Sequence, residues 1–494
     1  MPAIITNKFR LNNAEQFSES FSETANNVYY LGIGRPQPFG TLTRPDGRTD
    51  YEGTDSLPNT PSDSMGREFY TFDDLVAAKR VQSSDVSFVI PRRNWIAGTI
   101  YDIYRHDYGE YTTGSTSVRQ TSNSGATTLY DATFYVLTSA RNVYKCLDNN
   151  GGSASTDEPT GVSTSVITTT DSYKWKYMYT LSAAQQASFL STDFMAVSPN
   201  SSPSSDQSNV MSAAVDGSID IIKIKTAGSG GADGTYTNID IRGDGSGGKV
   251  SVTVTSGAVT AVTVTTEGTG YTFATISNAQ IVAAGATNLV GAELDVIIPP
   301  KGGHGFNAIE ELGAFFVMTN TSLEGTESAN SGDVSVANDF RRVCMIKDPK
   351  SGGSAATATT LRATKAVKLT GVSGTFAIDD KITQATTNAV GKVVEWDSTN
   401  AILYYVQTRH TNEGIDSNGN QVAFSGANII SGATSGSGTP EIAHSTTLNQ
   451  VDFNSGYSVP ELDHDSGDVL YVENRAPITR AADQTENIKL IIEF

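Results

Sequence analysis

The residues able to do chemistry in this sequence are few, and their spacing argues against most reaction types. Five histidines are present: His106, His304, His410, His444 and His464. No two stand at metal-ligand spacing, and neither an H-E-x-x-H helix nor a Walker-type phosphate loop exists. No G-x-S-x-G elbow exposes a serine nucleophile. His464 lies among acids in ELDHDSGD (461–468), a set that could ligate a metal, though a solvated acidic turn is the simpler reading. GDGSGG (243–248) matches G-x-G-x-x-G, yet it falls between two expected strands. No helix follows to hold a pyrophosphate, so it is expected to be a glycine-rich turn. DSNGN (416–420) superficially matches a calcium loop, but Ala427 stands where a bidentate Glu is required. Cys146 and Cys344 are too few for a disulfide framework or a metal site of Cys pairs. Cys146, following an alternating strand, is expected to be a buried structural thiol. The carboxylate pairs Asp73–Asp74 and Glu310–Glu311 are expected on helix or loop faces. Nothing positively suggests an enzyme, and no cofactor or metal is expected.

Composition narrows the classes further. The 494 residues carry 34 Lys and Arg against 53 Asp and Glu, a formal charge of −19. That balance argues against a nucleic-acid partner, whose phosphates must be met by Lys and Arg, and against an anionic membrane surface. No stretch approaches the ~20 apolar residues of a spanning helix. The start, MPAIITNKFR, shows no apolar signal-peptide core, so a soluble protein made in the cytosol is expected. Charged residues are 18% of the chain, where about 25% is usual. Glycine numbers 46, and with abundant Ser, Thr and Asn this points to strands joined by turns.

The elements that must position these residues come in blocks. The first 200 residues are expected to form a mixed α+β core. Helices are predicted at 13–25, where Phe17 and Phe21 share a face, and at 71–80 (TFDDLVAAKR), with Thr71 as cap. Strands are predicted at 28–34, 86–90, 128–137 and 173–181. In the last, Tyr173, Trp175, Tyr177 and Tyr179 alternate as on a half-buried strand, and core packing is preferred to a stacking surface. Residues 198–209 are expected to be a Pro/Ser-rich linker. Beyond it, 217–230 aligns with 257–270 at an offset of 40, marking an inserted all-β module at 210–298. Residues 299–350 return to the core. After a second expected linker, 351–360, another inserted β module runs over 361–448. Its repeat sets Phe376 and Ile382 against Phe424 and Ile430 at an offset of 48. Asn418–Gly419 is a hairpin-turn signal. Residues 451–494 are expected to supply strands completing the core. The fold class is thus mainly β, α+β and multidomain: a discontinuous core with two Gly/Thr-rich inserts.

Several segments are more specific than generic: ITNKFR (5–10), GIGRPQPF (32–39), VIPRRNW (89–95), VYKCLDNN (143–150) and DVLYVENRAPITRAADQTENIKLIIEF (468–494), with a weaker echo at PPKGGHGFNAIEELGAFFVMTN (299–320). Together they resemble the baseplate wedge subunit of T-even-like contractile-tailed bacteriophages. The resemblance covers residues 1–200 and 451–494 and omits the two β modules. It implies a structural protein of the virion, a homodimer that joins other wedge subunits within the tail baseplate after synthesis in the host cytoplasm.

Within those segments, Pro91 fixes the exit from a strand. Arg92 and Arg93 offer rigid forks beside the apolar anchor Trp95. The cluster is either an interface hot spot or an internal Arg–carboxylate set beside a core Trp. Glu473, Asn474 and Arg475 before Pro477 are expected to be a polar turn, and Asp483, Gln484, Thr485 and Glu486 a polar corner into the last strand. Arg475 is left between a fold role and an interface role. The functional expectation is assembly: holding wedge neighbours in register so that a change in the baseplate can trigger sheath contraction. The alternative is a receptor- or glycan-binding tail protein using the Gly-rich modules.

Overall fold

Short runs rich in Val, Ile, Thr and Tyr, punctuated by Gly, Asn and Asp, pair into sheets along most of the chain, so the fold is mainly β with short helices. The computed structural model describes residues 5–23, 27–36, 71–109, 120, 122–326, 333–335, 338–408, 414–475 and 484–494. The chain divides into two compact units. The first comprises 1–15, 87–318 and 491–494; the second comprises 16–86 and 319–490. The stretch 1–200, expected as one core, is shared between them.

The first unit is built on an antiparallel sheet in the order Tyr135–Leu137, Asn142–Asp148, Lys174–Thr180 and Ile167–Thr168. Tyr173, Trp175, Tyr177 and Tyr179 are buried, and so are Lys176 and Met178 between them. The strand is therefore covered on both faces rather than one, and its aromatic stripe is core. Trp175 stacks on Tyr173 at 5.5 Å and meets Tyr101 edge-on at 5.7 Å. Of the strand predicted at 128–137, only Tyr135–Leu137 forms. Upstream, the buried carboxylate of Asp102 takes the Thr133 N–H at 2.6 Å, leaving residues 128–134 in turns. The expected linker at 198–209 instead opens a helix, Ser205–Ala213. Ser204 caps it by accepting the Gln207 N–H at 3.2 Å, and Gln207 and Val210 are buried.

Residues 219–296 contribute a separate apolar cluster to this unit. Its strands form a three-stranded sheet (Gly234–Asp240, Lys249–Thr255, Ala258–Thr266) and a pair (Ile222–Ser229 with Val290–Val296). The 40-residue repeat is structural: its two long strands, Ile222–Ser229 and Ala258–Thr266, lie against each other. The glycine pairs 217/257, 228/268 and 230/270 all hold φ between +67° and +79°, where side chains are strained. GDGSGG is a turn, with Ser246 bridged to Thr269 and a strand following.

In the second unit, a five-stranded antiparallel sheet runs Thr360–Arg362, Leu75–Val81, Tyr29–Gly34, Arg342–Lys347, Asp468–Asn474. Here the predicted helix at 71–80 is corrected to one helical turn at 71–73 and the strand Leu75–Val81. Leu75, Val76, Ala77 and Ala78 are all buried. Consecutive apolar residues need cover on both sides, which an inner strand provides and an amphipathic helix does not. The first helix begins earlier than predicted, at Asn7–Ser20, and Phe17 meets Phe21 edge-on at 5.0 Å. The expected linker at 351–360 is a hairpin, Lys350–Ser351 with Ser354–Ala355. Its Gly352 and Gly353 N–H groups donate to the Asp463 carboxylate at 3.0 and 2.6 Å.

Residues 365–440 close a six-stranded barrel in the order Lys365–Ser373, Ile402–Val406, Val390–Asp397, Lys381–Gln384, Ile430–Gly432, Ser437–Pro440 and back to the first. Closure removes free strand edges. The 48-residue repeat pairs with itself: Gln384 lies opposite Ile430 in adjacent strands, and Phe376, Ile382, Phe424 and Ile430 share the barrel core. Asp379, in a left-handed turn, ties the barrel to the sheet. It receives both arms of Arg35 at 3.0 and 2.7 Å and Arg341 at 2.7 Å, with Lys392 at 3.7 Å. DSNGN is a turn in which Asp416 accepts the N–H groups of Asn418 and Asn420 at 2.8 and 2.9 Å.

Both returning C-terminal strands form. Asp468–Asn474 joins the five-stranded sheet, and Thr485–Glu493 pairs with Phe316–Thr326. Ile488 and Leu490 are buried while Ile491 points outward. Deleting residues 488–494 should remove two buried aliphatics worth roughly 1.5–3 kcal/mol each and strip the neighbouring strand of one of its partners, against a stability of ~5–15 kcal/mol. The expected outcome is insoluble or molten protein. Cooperative melting of the truncated chain by calorimetry would contradict this placement.

Candidate functional site

The VIPRRNW segment ends the strand Val86–Pro91, which pairs with Phe194–Ala196 so that Pro91 faces Phe194. Beyond it the two arginines turn inward onto carbonyls. Arg92 donates to the Ser191 carbonyl at 2.7 Å and to Asn94 Oδ1 at 2.9 Å. Arg93 donates to the carbonyls of Ala132, Tyr130 (3.1 Å) and Asp131 (3.3 Å), with its guanidinium 4.5 Å above the Tyr135 ring. Trp95 is half-buried against the first core and donates from Nε1 to Ser155 Oγ at 3.1 Å. The forks bind backbone rather than the carboxylates expected of an internal set. They fix the turns at 130–132 and 191 that the neighbouring strands leave open.

Arg93 also lines a cleft of about 350 Å³ with Asn7, Arg10, Pro91, Tyr130, Gly313, Phe315 and Glu493. Arg10 reaches across from the first helix. Its guanidinium lies 3.6 Å from the centre of the Phe315 ring, and it donates to Glu493 and to the Phe494 carbonyl. Phe494 N–H in turn donates to the Phe315 carbonyl at 3.1 Å. Tyr130 meets Phe315 edge-on at 5.5 Å and donates to the Glu310 carbonyl at 2.9 Å. Gly313 ends the helix Ala308–Leu312 with φ +72°; a Cβ there would meet the Tyr130 ring at 2.3 Å. Segments 5–10, 89–95, 299–320 and 491–494 therefore meet at one place in the first unit.

On the other side of that helix lies a buried set of charges. Glu311 is buried, not on a helix surface as expected, and pairs with Lys145. Its Oε1 accepts the N–H groups of Gly305 at 2.9 Å and Asn307 at 3.0 Å. Lys145 Nζ sits 4.9 Å from the centre of the Tyr104 ring, and His304 packs on the same ring at 4.8 Å. Burial pushes Lys145 below its usual range, an effect Glu311 offsets in part. Burial, then Lys145 and Lys176, holds His304 neutral. Asp220 lies 4.0 Å from His304 Nε2. Cys146, in the same strand as Lys145, is buried and its thiol is pushed up by burial. The sequence did carry a signal for this set. Lys145 and Lys176 interrupt aromatic, otherwise apolar strands, and a lysine there needs a buried anion.

The remaining expected residues lie in other parts of the chain. Glu473 and Asn474 are within the strand Asp468–Asn474, not a turn; Asn474 Oδ1 accepts from Arg342 at 2.9 Å. Glu473 accepts the Tyr471 hydroxyl. Arg475 donates its N–H to the Arg341 carbonyl at 2.8 Å, extending the ladder. Gln484 accepts the Gly325 N–H at 2.9 Å, and Thr485 and Glu486 open the last strand rather than a corner. Pro477 and Asp483 lie outside the described residues, as do residues 37–39 of GIGRPQPF and His410. His464 is not a free acidic turn: its Nε2 is 2.8 Å from the buried Asp73 and its Nδ1 2.9 Å from Asp465. Asp74, also buried, pairs with Arg342 at 2.9 Å. Among the described residues no cluster of His, Cys, Asp and Glu is arranged to hold a metal ion.

Comparison with known proteins returned no matching family model and no matching curated protein. The cleft itself offers an aromatic floor and cations already bonded to main-chain oxygens.

Asp220 gives a pH test of the buried set. Burial first, then Glu267, pushes its carboxyl up to about 6 from 3.8. An acid raised in this way favours folding fully below its unfolded value and opposes folding increasingly as the pH rises through 6. Asp220→Asn should therefore melt above the parent at pH 8, by the equivalent of ~1–3 kcal/mol, with the difference vanishing near pH 4. Calorimetry at the two pH values checks both the sign and the trend.

Proposed function

We propose that this chain is a structural subunit of a contractile phage tail baseplate wedge, acting by assembly with neighbouring wedge subunits and not by catalysis. The observation that carries the reading is the convergence just described: four separated segments bearing the family resemblance gather at one cleft. The same segments expose apolar side chains to solvent, with Ile5 68%, Phe9 56% and Ile491 38% accessible, and Ile96, next after VIPRRNW, is 62% accessible. Exposed apolar groups on these segments suit a docking surface. The net charge of −19 fits protein partners better than nucleic acid or an anionic membrane. In this reading the protein is a homodimer in the virion baseplate.

Immunogold labelling of intact tails tests the location. Label on the baseplate body supports the reading; label at fibre tips supports the receptor- or glycan-binding alternative. Phe9→Asp combined with Ile96→Asp tests the surface. Exposed substitutions of this kind change stability by about 0.5 kcal/mol or less each, so melting should stay near the parent value. Incorporation into tails, measured by quantitative immunoblot of purified particles, should be lost. A doubly substituted chain that assembles normally would remove these exposed side chains from the interface.

A further inference from the structure

We propose that Lys145 and Glu311 are joined by an intramolecular amide bond, formed by the folded chain itself. The two side chains are in direct contact between Nζ and Oε2, and they are 0% and 1% exposed. They come from the strand Asn142–Asp148 and the helix Ala308–Leu312, 166 residues apart in sequence. Glu311 Oε1 accepts two backbone N–H groups, from Gly305 at 2.9 Å and Asn307 at 3.0 Å. A pair of fixed main-chain donors on one oxygen of a carboxyl group is what stabilises the anionic oxygen of a tetrahedral adduct. The other oxygen, Oε2, is the one beside the amine, although Gly305 N–H also reaches it at 3.0 Å. The Tyr104 ring lies over Lys145, and His304 packs edge-on against that ring. The same burial that lowers Lys145 favours its neutral, nucleophilic form.

The step needs no outside reagent. Within the ion pair, one ammonium proton passes from Nζ to Oε2, leaving an amine and a carboxylic acid. The Nζ lone pair attacks Cδ, and the carbonyl electrons move onto Oε1 between the Gly305 and Asn307 N–H groups. The adduct collapses with cleavage of the Cδ–Oε2 bond. A second proton from nitrogen joins the departing hydroxyl, and one water leaves. An ammonium and a carboxylate thus become one neutral amide and one water. Fixed proximity supplies the effective concentration that free amines and acids lack, and the product replaces two charges that are costly to bury.

Mass spectrometry of the purified full chain decides the matter. The intact mass should be that of the sequence less one water. A tryptic digest should contain one branched peptide linking the stretch around Lys145 to the stretch carrying Glu311, with no cleavage after Lys145. Lys145→Met and Glu311→Ala should each restore the full sequence mass. The wild-type measurement does not depend on either variant folding. A folded wild-type chain at full sequence mass, cleaved normally after Lys145 once denatured, overturns the proposal. So does a mass deficit that persists in Lys145→Met.

Discussion

Burial of the Glu311 carboxylate is the constraint from which much of the first unit follows. Its acceptors are filled by Lys145 from a central strand and by the N–H groups of Gly305 and Asn307 from the loop before its own helix. One side chain therefore sets where that loop turns and where the helix Ala308–Leu312 starts. The helix ends one turn later at Gly313, which brings Phe315 beneath Arg10 and beside Tyr130. The cleft is thus the outer consequence of an inner charge requirement. A lone Lys145 in that core would cost several kcal/mol, so strand, loop and helix must be satisfied together.

The second unit solves a similar problem with the roles reversed. There two carboxylates are shared by cations: Asp379 by Arg35, Arg341 and Lys392, and Asp339 by the same two arginines. Burial works to raise Asp379, but hydrogen bonds from Arg35 and Arg341 hold it well below the ordinary carboxylate range. Because Arg35 and Arg341 flank adjacent strands of the sheet while Asp379 and Lys392 belong to the barrel region, the network fixes the barrel against that sheet. Both units rely on a few buried ionic contacts in a chain otherwise poor in charge.

Much of this was legible in the sequence wherever a pattern is local. The two offsets of 40 and 48 residues became paired or packed strands because glycine and apolar positions recur in step with the backbone geometry. The C-terminal alternation of Leu490 and Ile491 likewise reports inside and outside directly. Legibility failed where a long-range partner overrides local preference. TFDDLVAAKR carries good helix-starting residues, yet its four consecutive buried positions belong to an inner strand whose neighbours lie elsewhere in the chain. Residues 128–134 carry strand-forming side chains, but Asp102 and Arg93 claim their backbone groups for turns. Serine-rich stretches suit both loops and helix caps, and only the burial of Val210 separates the two at 198–209. At the site, Arg92 and Arg93 were found as a motif. The pairing of Arg10 with Phe315 is not legible there, since the two residues lie about 300 positions apart and meet only in the fold.

The order of the strands in the five-stranded sheet also bears on how the chain is made. Tyr29–Gly34 lies between Leu75–Val81 and Arg342–Lys347, and the latter then waits for Asp468–Asn474. At ~5–20 residues per second, the ribosome needs roughly 15–60 s after making the first of these strands to deliver its second neighbour. During that interval a flat apolar strand has one edge open to any chain emerging from an adjacent ribosome. The barrel, whose strands all fall within residues 365–440, has no such delay and can close soon after it emerges. Nascent chains on a crowded message are therefore most exposed to mispairing in the first unpaired strand of this sheet, long before the last residues are added.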